Sequence, residues 1–312
     1  MTDPRLAALS SIKIESSRVE YCKSHIVLLC GGRSPEKGHP DDPTPSVQSL
    51  RHALETDLNN RIEFFKPEDV TNWQVDAIFR NLIDLEVELA AMCSLVVIIL
   101  ESPGAIAELG AFSQLKEFND KIVAVCSEGH FQNDSFIKLG IFRHISNDKR
   151  TAVKSYPFEV GFPLTITAEI IEDVVVDVQR ELDELPKSQL LKVSNSSHVF
   201  VLLYELIKLF VAVKESELLD YLSRLGVDAG RDQLRGKLFL LQRFRLISLE
   251  IYSDSQFYVA RNSEFHRVNF SASSSVPIDK LRISTECKEF YNTSGKDNHR
   301  LRVIRRLFGG GK

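Results

Sequence analysis

Apolar residues along this chain fall either into short unbroken runs or into stripes at helical spacing. Leu95 to Leu100 (LVVIIL) is entirely apolar and mostly β-branched, and the polar turn Glu101-Ser102-Pro103-Gly104 closes it. Such a run between turn signals predicts a strand buried on both faces of a parallel sheet. His25 to Cys30 (HIVLLC), Ile62 to Phe65 and Ile122 to Cys126 (IVAVC) read the same way. Helical spacing recurs in Ser46 to Asn59 through Val47, Leu50, Leu54 and Leu58, and in Asp76 to Met92 through Leu82, Leu85, Leu89 and Met92. A further helix is predicted to carry Glu108, and Ala168 to Leu185 one that closes the domain. Strands alternating with helices predict an α/β fold, a doubly wound parallel sheet over residues 25–185. Residues 1–24 read as a peripheral arm with at most a short helix. Phe131 to Lys154 has no clear period, and Tyr156 to Pro163 reads as an irregular connection.

Pro186 to Ser197 (PKSQLLKVSNSS) has the composition of a linker, and a second domain is expected over residues 198–312. Its first helix, VFVLLYELIKLFVAV, is shorter than a membrane span and contains Glu205 and Lys208, which predicts a buried core helix. Glu215 to Leu225 is a second helix ended by Gly226, and Asp232 to Phe244 a third. LISLEIY, a turn at Ser253 to Ser255 and QFYVA then form a hairpin. Three helices and a two-stranded hairpin are the layout of a winged helix-turn-helix. The third helix would bring Arg231, Arg235, Lys237, Arg243 or Arg245 to a nucleic acid. Winged helices also bind proteins, so the layout alone leaves the partner open. Lys280 to Lys312 is basic, with Arg300, Arg302, Arg305 and Arg306 among its cations. That stretch predicts either a polyanion partner or a solvated tail.

Composition narrows the class. A chain of 312 residues is long enough for two cores, and its formal net charge of -4 argues against a protein that is basic throughout. Cys22, Cys30, Cys93, Cys126 and Cys287 are scattered, which predicts free thiols in a reducing compartment and no metal site. The first residues lack the apolar core of a secretion signal, and no apolar run reaches the roughly 18 residues of a membrane span. A soluble, cytoplasmic protein is the expectation.

Ligands of parallel sheets bind at the carboxyl ends of the strands, which is where Ser102, Pro103, Gly104 and Glu108 would lie. Amides of that turn are candidates for a phosphate, and the helix dipole would keep Glu108 ionised. The plainer alternative for Glu108 is a solvated helix residue. Gly31 and Gly32, directly after a strand, would let a ligand approach the backbone, or would form an ordinary tight turn. Arg33 to Pro45 reads as a surface loop, a candidate lid. Arg51 either reaches the crevice or lies on the surface. Glu68 and Asp69, just past a strand, either bind sugar hydroxyls or cap a helix.

Taken together, Cys30-Gly31-Gly32, Pro67-Glu68-Asp69 and ESPGAIAELGAF (residues 101–112) form a recognisable set. The chain resembles bacterial retron effectors with a nucleoside 2-deoxyribosyltransferase-like domain, and among them the cold-anomaly toxins, which also carry a C-terminal winged helix. The resemblance implies an N-glycosidase acting on nucleotides, with NAD as substrate and no cofactor. It implies a reverse transcriptase and its branched RNA–DNA product (msDNA) as the partners that hold the effector inactive until phage infection. Carried onto this chain, the family's nucleophile falls on Glu108 and its second acid on Glu86. Glu68 and Asp69 would hold ribose or base, and Cys30, Gly31, Gly32, Arg51, Ser102, Pro103 and Gly104 would line the substrate site. The family's transferases have a turn closer to D-S-G-T, whereas this chain has Ser102-Pro103-Gly104-Ala105, which implies a changed substrate. A rival of another class is a non-catalytic, nucleotide-sensing and DNA-binding regulator.

Overall fold

A computed structural model describes residues 3–23, 25–35, 46–57, 62–70, 78–118, 120–132, 134–148, 151–261, 264–274 and 276–308. The chain forms two compact units, one of His25–Asn72 and Asn81–Leu185, the other of Met1–Ser24, Trp73–Arg80 and Pro186–Lys312.

In chain order, α1 (Pro4–Ser11) starts where the Asp3 side chain accepts the Arg5 amide, and β1 (Ile12–Glu20) follows at once. β1 pairs antiparallel on both sides, with 188–190 and 267–272, as the central strand of a three-stranded sheet. The stretch expected to be an arm therefore contains a strand with neighbours at both edges.

The unit that follows holds β2 (Ile26–Cys30), α2 (Leu50–Thr56), β3 (Glu63–Phe65), α3 (Leu82–Met92), β4 (Leu95–Ile99), α4 (Pro103–Phe112), β5 (Ile122–Ser127), α5 (Glu128–Gln132), α6 (Arg143–Asp148), β6 (Val153–Tyr156) and α7 (Ala168–Asp183). Its sheet is five-stranded and wholly parallel, in the order β3-β2-β4-β5-β6. This is the mixed α/β architecture that the apolar runs predicted. Side chains alternate across it. Val27, Leu29, Val97, Ile99, Val123 and Val125 form one core cluster with Leu50 and Leu54 of α2 and Ile170, Val174, Val178 and Leu182 of α7. Leu28, Cys30, Val96, Ile98 and Ala124 turn the other way and are equally buried. The helix over 46–59 is shorter than expected: Ser49 caps α2, Val47 lies outside it, and 58–59 fall outside the described residues. Most of the candidate lid, 36–45, is also outside them.

The chain then adds β7 (Ser188–Leu190), α8 (Ser196–Leu209), α9 (Glu215–Arg224), α10 (Arg231–Arg243), β8 (Ile247–Tyr252), β9 (Ser255–Ala260), β10 (Arg267–Ala272), α11 (Lys280–Thr293) and α12 (Asn298–Phe308). Residues 188–190, inside the stretch read as a linker, thus form a strand against β1. α8 is buried nearly all round, as its composition predicted. Gly226 ends α9 with φ of 77°, a left-handed conformation that glycine adopts without a side-chain penalty. α8, α9 and α10 followed by the β8–β9 hairpin reproduce the expected order of three helices and a two-stranded ribbon. The basic stretch after Asp279 is a folded pair of helices, with Cys287 and Tyr291 fully buried. Among the described residues no helix is long and apolar enough to cross a membrane.

Candidate functional site

The chain leaves β2 for β3 on one side and returns to β4 on the other, so the strand order reverses at β2. In open parallel sheets such a reversal opens a crevice beyond the carboxyl ends of the strands. Three sequence motifs reach that edge: Cys30-Gly31-Gly32 after β2, Pro67-Glu68-Asp69 after β3, and Glu101-Ser102 after β4.

Cys30 is 1% exposed, and its side chain hydrogen-bonds Glu108 of α4. Burial first, then the neighbouring Glu108 and Glu86, hold its thiol well above the ordinary range, so it is a neutral S–H donor. Cys30 is therefore an enclosed partner of Glu108. Burial raises the pKa of Glu108, while the Cys30 hydrogen bond and the Arg51 charge pull it back in part. Burial therefore works against the ionised form that the helix dipole favours. Its Oε2 is buried with no hydrogen-bond partner among the described residues. Glu86, buried on α3, is pushed up to about 7 by burial and then by Glu108 and Glu68, against the opposing charge of Arg51. Two carboxyls that act on each other titrate as a pair.

This pair has a cost for stability. Glu86 binds its proton more tightly in the folded chain than at its ordinary value of 4.5. Its favourable contribution is complete below that value and is lost as pH rises through about 7. Glu86→Gln should therefore be more stable than the parent by about 3 kcal/mol at alkaline pH and nearly equal in acid. Urea unfolding at two pH values measures the difference.

Arg51 was expected to reach the crevice or lie on the surface. It is instead 4% exposed and held by carboxylates. Its Nε lies 3.2 Å from Glu55 Oε1, its Nη1 donates to Glu68 Oε1 at 3.0 Å, and its Nη2 donates to Glu68 Oε2. Burial alone would raise the pKa of Glu68, but Arg51 overcomes it and holds Glu68 below the ordinary value. Asp69 is exposed and accepts the Lys66 amide, so it takes the capping alternative. Ser102 Oγ donates to the Gly31 carbonyl at 3.0 Å and accepts the Ala105 amide at 3.1 Å, which makes it the N-cap of α4. Pro103 has no amide hydrogen, and Gly104 is exposed.

Glu101 is the site residue that sequence reading passed over. Its carboxylate accepts the amides of Gly32 at 3.1 Å, Leu50 at 2.9 Å and Arg51 at 2.9 Å. The glycines are needed for that approach, since a Cβ on Gly32 would stand 2.8 Å from Glu101 Cγ and one on Gly31 3.0 Å from Arg51 Cβ. The only sequence signal was an acid directly after a buried strand. A cavity of about 630 Å³ lies between α2 and α7, and none of Glu86, Glu101 or Glu108 lines it. Among the described residues no group of three or more His, Cys, Asp or Glu side chains is placed to hold a metal ion.

The candidate nucleic-acid residues divide by depth. Lys237 is buried, donates to Ser196 Oγ and lies 4.4 Å from the centre of the Phe200 ring. Arg300 is 3% exposed and bonded to Glu217, Asp297 and the Ala212 carbonyl. Neither is free to meet a polyanion, which corrects the expectation for both. Arg231 and Arg235 are exposed and paired with Glu215. Arg243 lies over the Phe239 ring, Arg306 pairs with Glu250, and Arg245, Arg302 and Arg305 are exposed.

Over 152 residues the chain is 28% identical to an Escherichia coli protein named "Retron Ec73 putative ribosyltransferase/DNA-binding protein". The alignment covers 47% of this chain and 46% of that protein, so the chain spans about half the length of the curated relative it matches. Residues 47–249 match the model of the STM3845 retron effector protein family, a span that takes in Glu68, Glu86, Glu101 and Glu108 as well as α8, α9 and α10. With well over half its length inside that match, this chain belongs to the STM3845 retron effector protein family.

Proposed function

We propose that the crevice beside Cys30 cleaves the N-glycosidic bond of a nucleotide, with NAD as the substrate. On this reading the parallel-sheet unit is a nucleoside deoxyribosyltransferase-like N-glycosidase, and the chain is the toxin of a retron anti-phage system. The observation that carries it is the carboxyl pair Glu108 and Glu86, acting on each other at the sheet's switch point. Environments that perturb neighbouring carboxyls are how one site supplies both an acid and a base.

The chemistry follows from those groups. The C1′–N bond breaks with its electron pair going to the base nitrogen, and positive charge grows on C1′ and the ring oxygen. Glu108 stabilises that charge or bonds to C1′. In NAD the nicotinamide nitrogen is cationic while bound and neutral once released, so it departs without a proton. Water then takes the place at C1′ and gives its proton to Glu86, which can accept it only when ionised. The rate should rise as pH passes through about 7. Purified protein incubated with NAD, and nucleotide pools of cells expressing the chain alone, are both read by mass spectrometry. Free nicotinamide and depleted pools support the proposal. Unchanged pools alongside toxicity would favour the non-catalytic, nucleotide-sensing regulator.

The relative's name pairs ribosyltransfer with DNA binding. For this chain we assign the second role to a winged helix formed by α8 to α10 and the β8–β9 hairpin, together with the basic face of α12. The partner is msDNA with its reverse transcriptase, which hold the toxin inactive. Exposed arginines on phosphates make such binding salt-dependent. Affinity for a branched RNA–DNA should fall steeply from about 50 to about 200 mM salt. Changing both Arg302 and Arg305 to Ala should lower the log–log slope by roughly 1 to 2 without changing fold. Fluorescence anisotropy across a salt series reads both numbers. A slope that stays put in the double variant removes α12 from the interface.

A further inference from the structure

Glu101 joins two segments that are distant in sequence. Its Oε1 takes the amides of Gly32 and Arg51, and its Oε2 takes that of Leu50. Bonds from amides to a carboxylate are charge-assisted and roughly twice as strong as neutral ones. The surroundings are built to the same end. A Cβ on Gly32 would also stand 2.9 Å from Glu101 Cδ and 2.9 Å from Ser49 Cβ, so a side chain there would force the carboxylate out. Ser49 Oγ donates to the Arg33 carbonyl at 2.7 Å and accepts the His52 amide at 2.9 Å, which braces the same turn. Arg51 is anchored through its own amide, and from there its guanidinium reaches Glu55, Glu68 and the Gly32 carbonyl.

We propose that Glu101 is a positioning residue, an internal carboxylate that fills the three-amide cradle and thereby fixes Arg51 against the pair Glu86 and Glu108. Arg51 is the cation whose field favours the ionised form of both acids. If Glu101 lets go, Arg51 loses its backbone anchor, the guanidinium drifts with its partners Glu55 and Glu68 away from the pair, and both acids keep their protons to higher pH. The proposal rests on the N-glycosidase reading only for its effect on rate. Its effect on the acids can be read without any turnover.

The test uses the full chain with carboxyl-labelled glutamate and follows the titration of Glu86 by carbon NMR. Glu101→Gln places an NH2 group against backbone amides, and Gly32→Ala pushes the carboxylate away while leaving it charged. Both should raise the Glu86 midpoint by about one unit, with Glu101→Asp falling between them and the parent. An unmoved midpoint in any folded variant overturns the proposal. In the unaltered chain, amide hydrogen exchange gives a reading that needs no variant to fold. The Gly32, Leu50 and Arg51 amides should be protected together, and free exchange at Gly32 or Arg51 overturns it equally. A midpoint that moves in a protein cleaving no nucleotide sinks the N-glycosidase reading and leaves this one standing. Turnover with unmoved midpoints does the reverse.

Discussion

Glu108→Gln lowers nucleotide cleavage by about 10³-fold or more while the protein melts no earlier than the parent. The substitution keeps volume and shape and removes only the ability to carry negative charge. A 10³-fold loss corresponds to about 4 kcal/mol of transition-state stabilisation. That is the scale expected when a carboxylate facing a developing oxocarbenium ion is neutralised in a desolvated site. Stability should move the other way or not at all. Burial already disfavours the charged form of Glu108, and its Oε2 has no hydrogen-bond partner to lose among the described residues. A neutral amide is cheaper to hold there than a carboxylate. Nicotinamide release followed by chromatography, with thermal melts on the same preparations, separates the two effects. Wild-type turnover in this variant would remove Glu108 from the chemistry.

Arg300→Ala destabilises its unit by about 3 kcal/mol, whereas Arg302→Ala, two positions further along, changes stability by less than about 0.5 kcal/mol. The sequence presents both as members of one basic run. Arg300 donates to Glu217 at 2.6 Å, Asp297 at 2.9 Å and the Ala212 carbonyl at 2.6 Å, and its guanidinium lies 4.7 Å from the Tyr291 ring centre. Burial would raise the pKa of Glu217, and Arg300 overcomes it to hold that carboxylate below its ordinary range. Removing the guanidinium leaves a half-buried carboxylate and a buried carbonyl short of a partner. Arg5 still reaches Glu217 at 2.6 Å, which keeps the loss at the lower end for a broken buried pair. The melting temperature should fall by roughly 10 °C. For nucleic-acid affinity the ranking inverts, with Arg302→Ala weakening binding and Arg300→Ala acting only through folding. Equal melting temperatures for the two variants would mean that Arg300 carries no structural weight.

The parts of the fold that could be read in advance were those where one residue's chemistry decides its surroundings. LVVIIL, HIVLLC and IVAVC could be read as strands because each is a short apolar run bounded by turn signals, too short for a buried helix. β6, VKSY, escaped because it is an edge strand whose residues are mostly half-buried. β1 escaped because its register shifts between Lys13 and Arg18, which breaks the alternation that would have marked it. Charged residues were harder for a different reason. A guanidinium in a sequence has no depth, so Arg51, Lys237 and Arg300 looked like arms reaching outward when each is enclosed by partners of its own unit. Glu108 was marked by its place one turn into the helix after the most apolar run, whereas Glu86 came from a motif resemblance. Glu101 gave no such signal because its partners are backbone amides, which every sequence has at every position but proline.

The central strand β1 also sets an order of events at the ribosome. Ser17 and its partner Ser271 are 254 residues apart, so a nascent chain carries the first of them long before the second exists. Residues 25–185 contain every strand of the parallel sheet and can condense while translation continues. The three-stranded sheet has to wait for β10, and during that wait Ile12, Ile14 and Val19 have no finished core to enter. A message cut short between β9 and β10 would therefore release a chain with its parallel sheet intact, the carboxyl pair already assembled, and β1 paired only with β7, its other edge left open to aggregation or proteolysis.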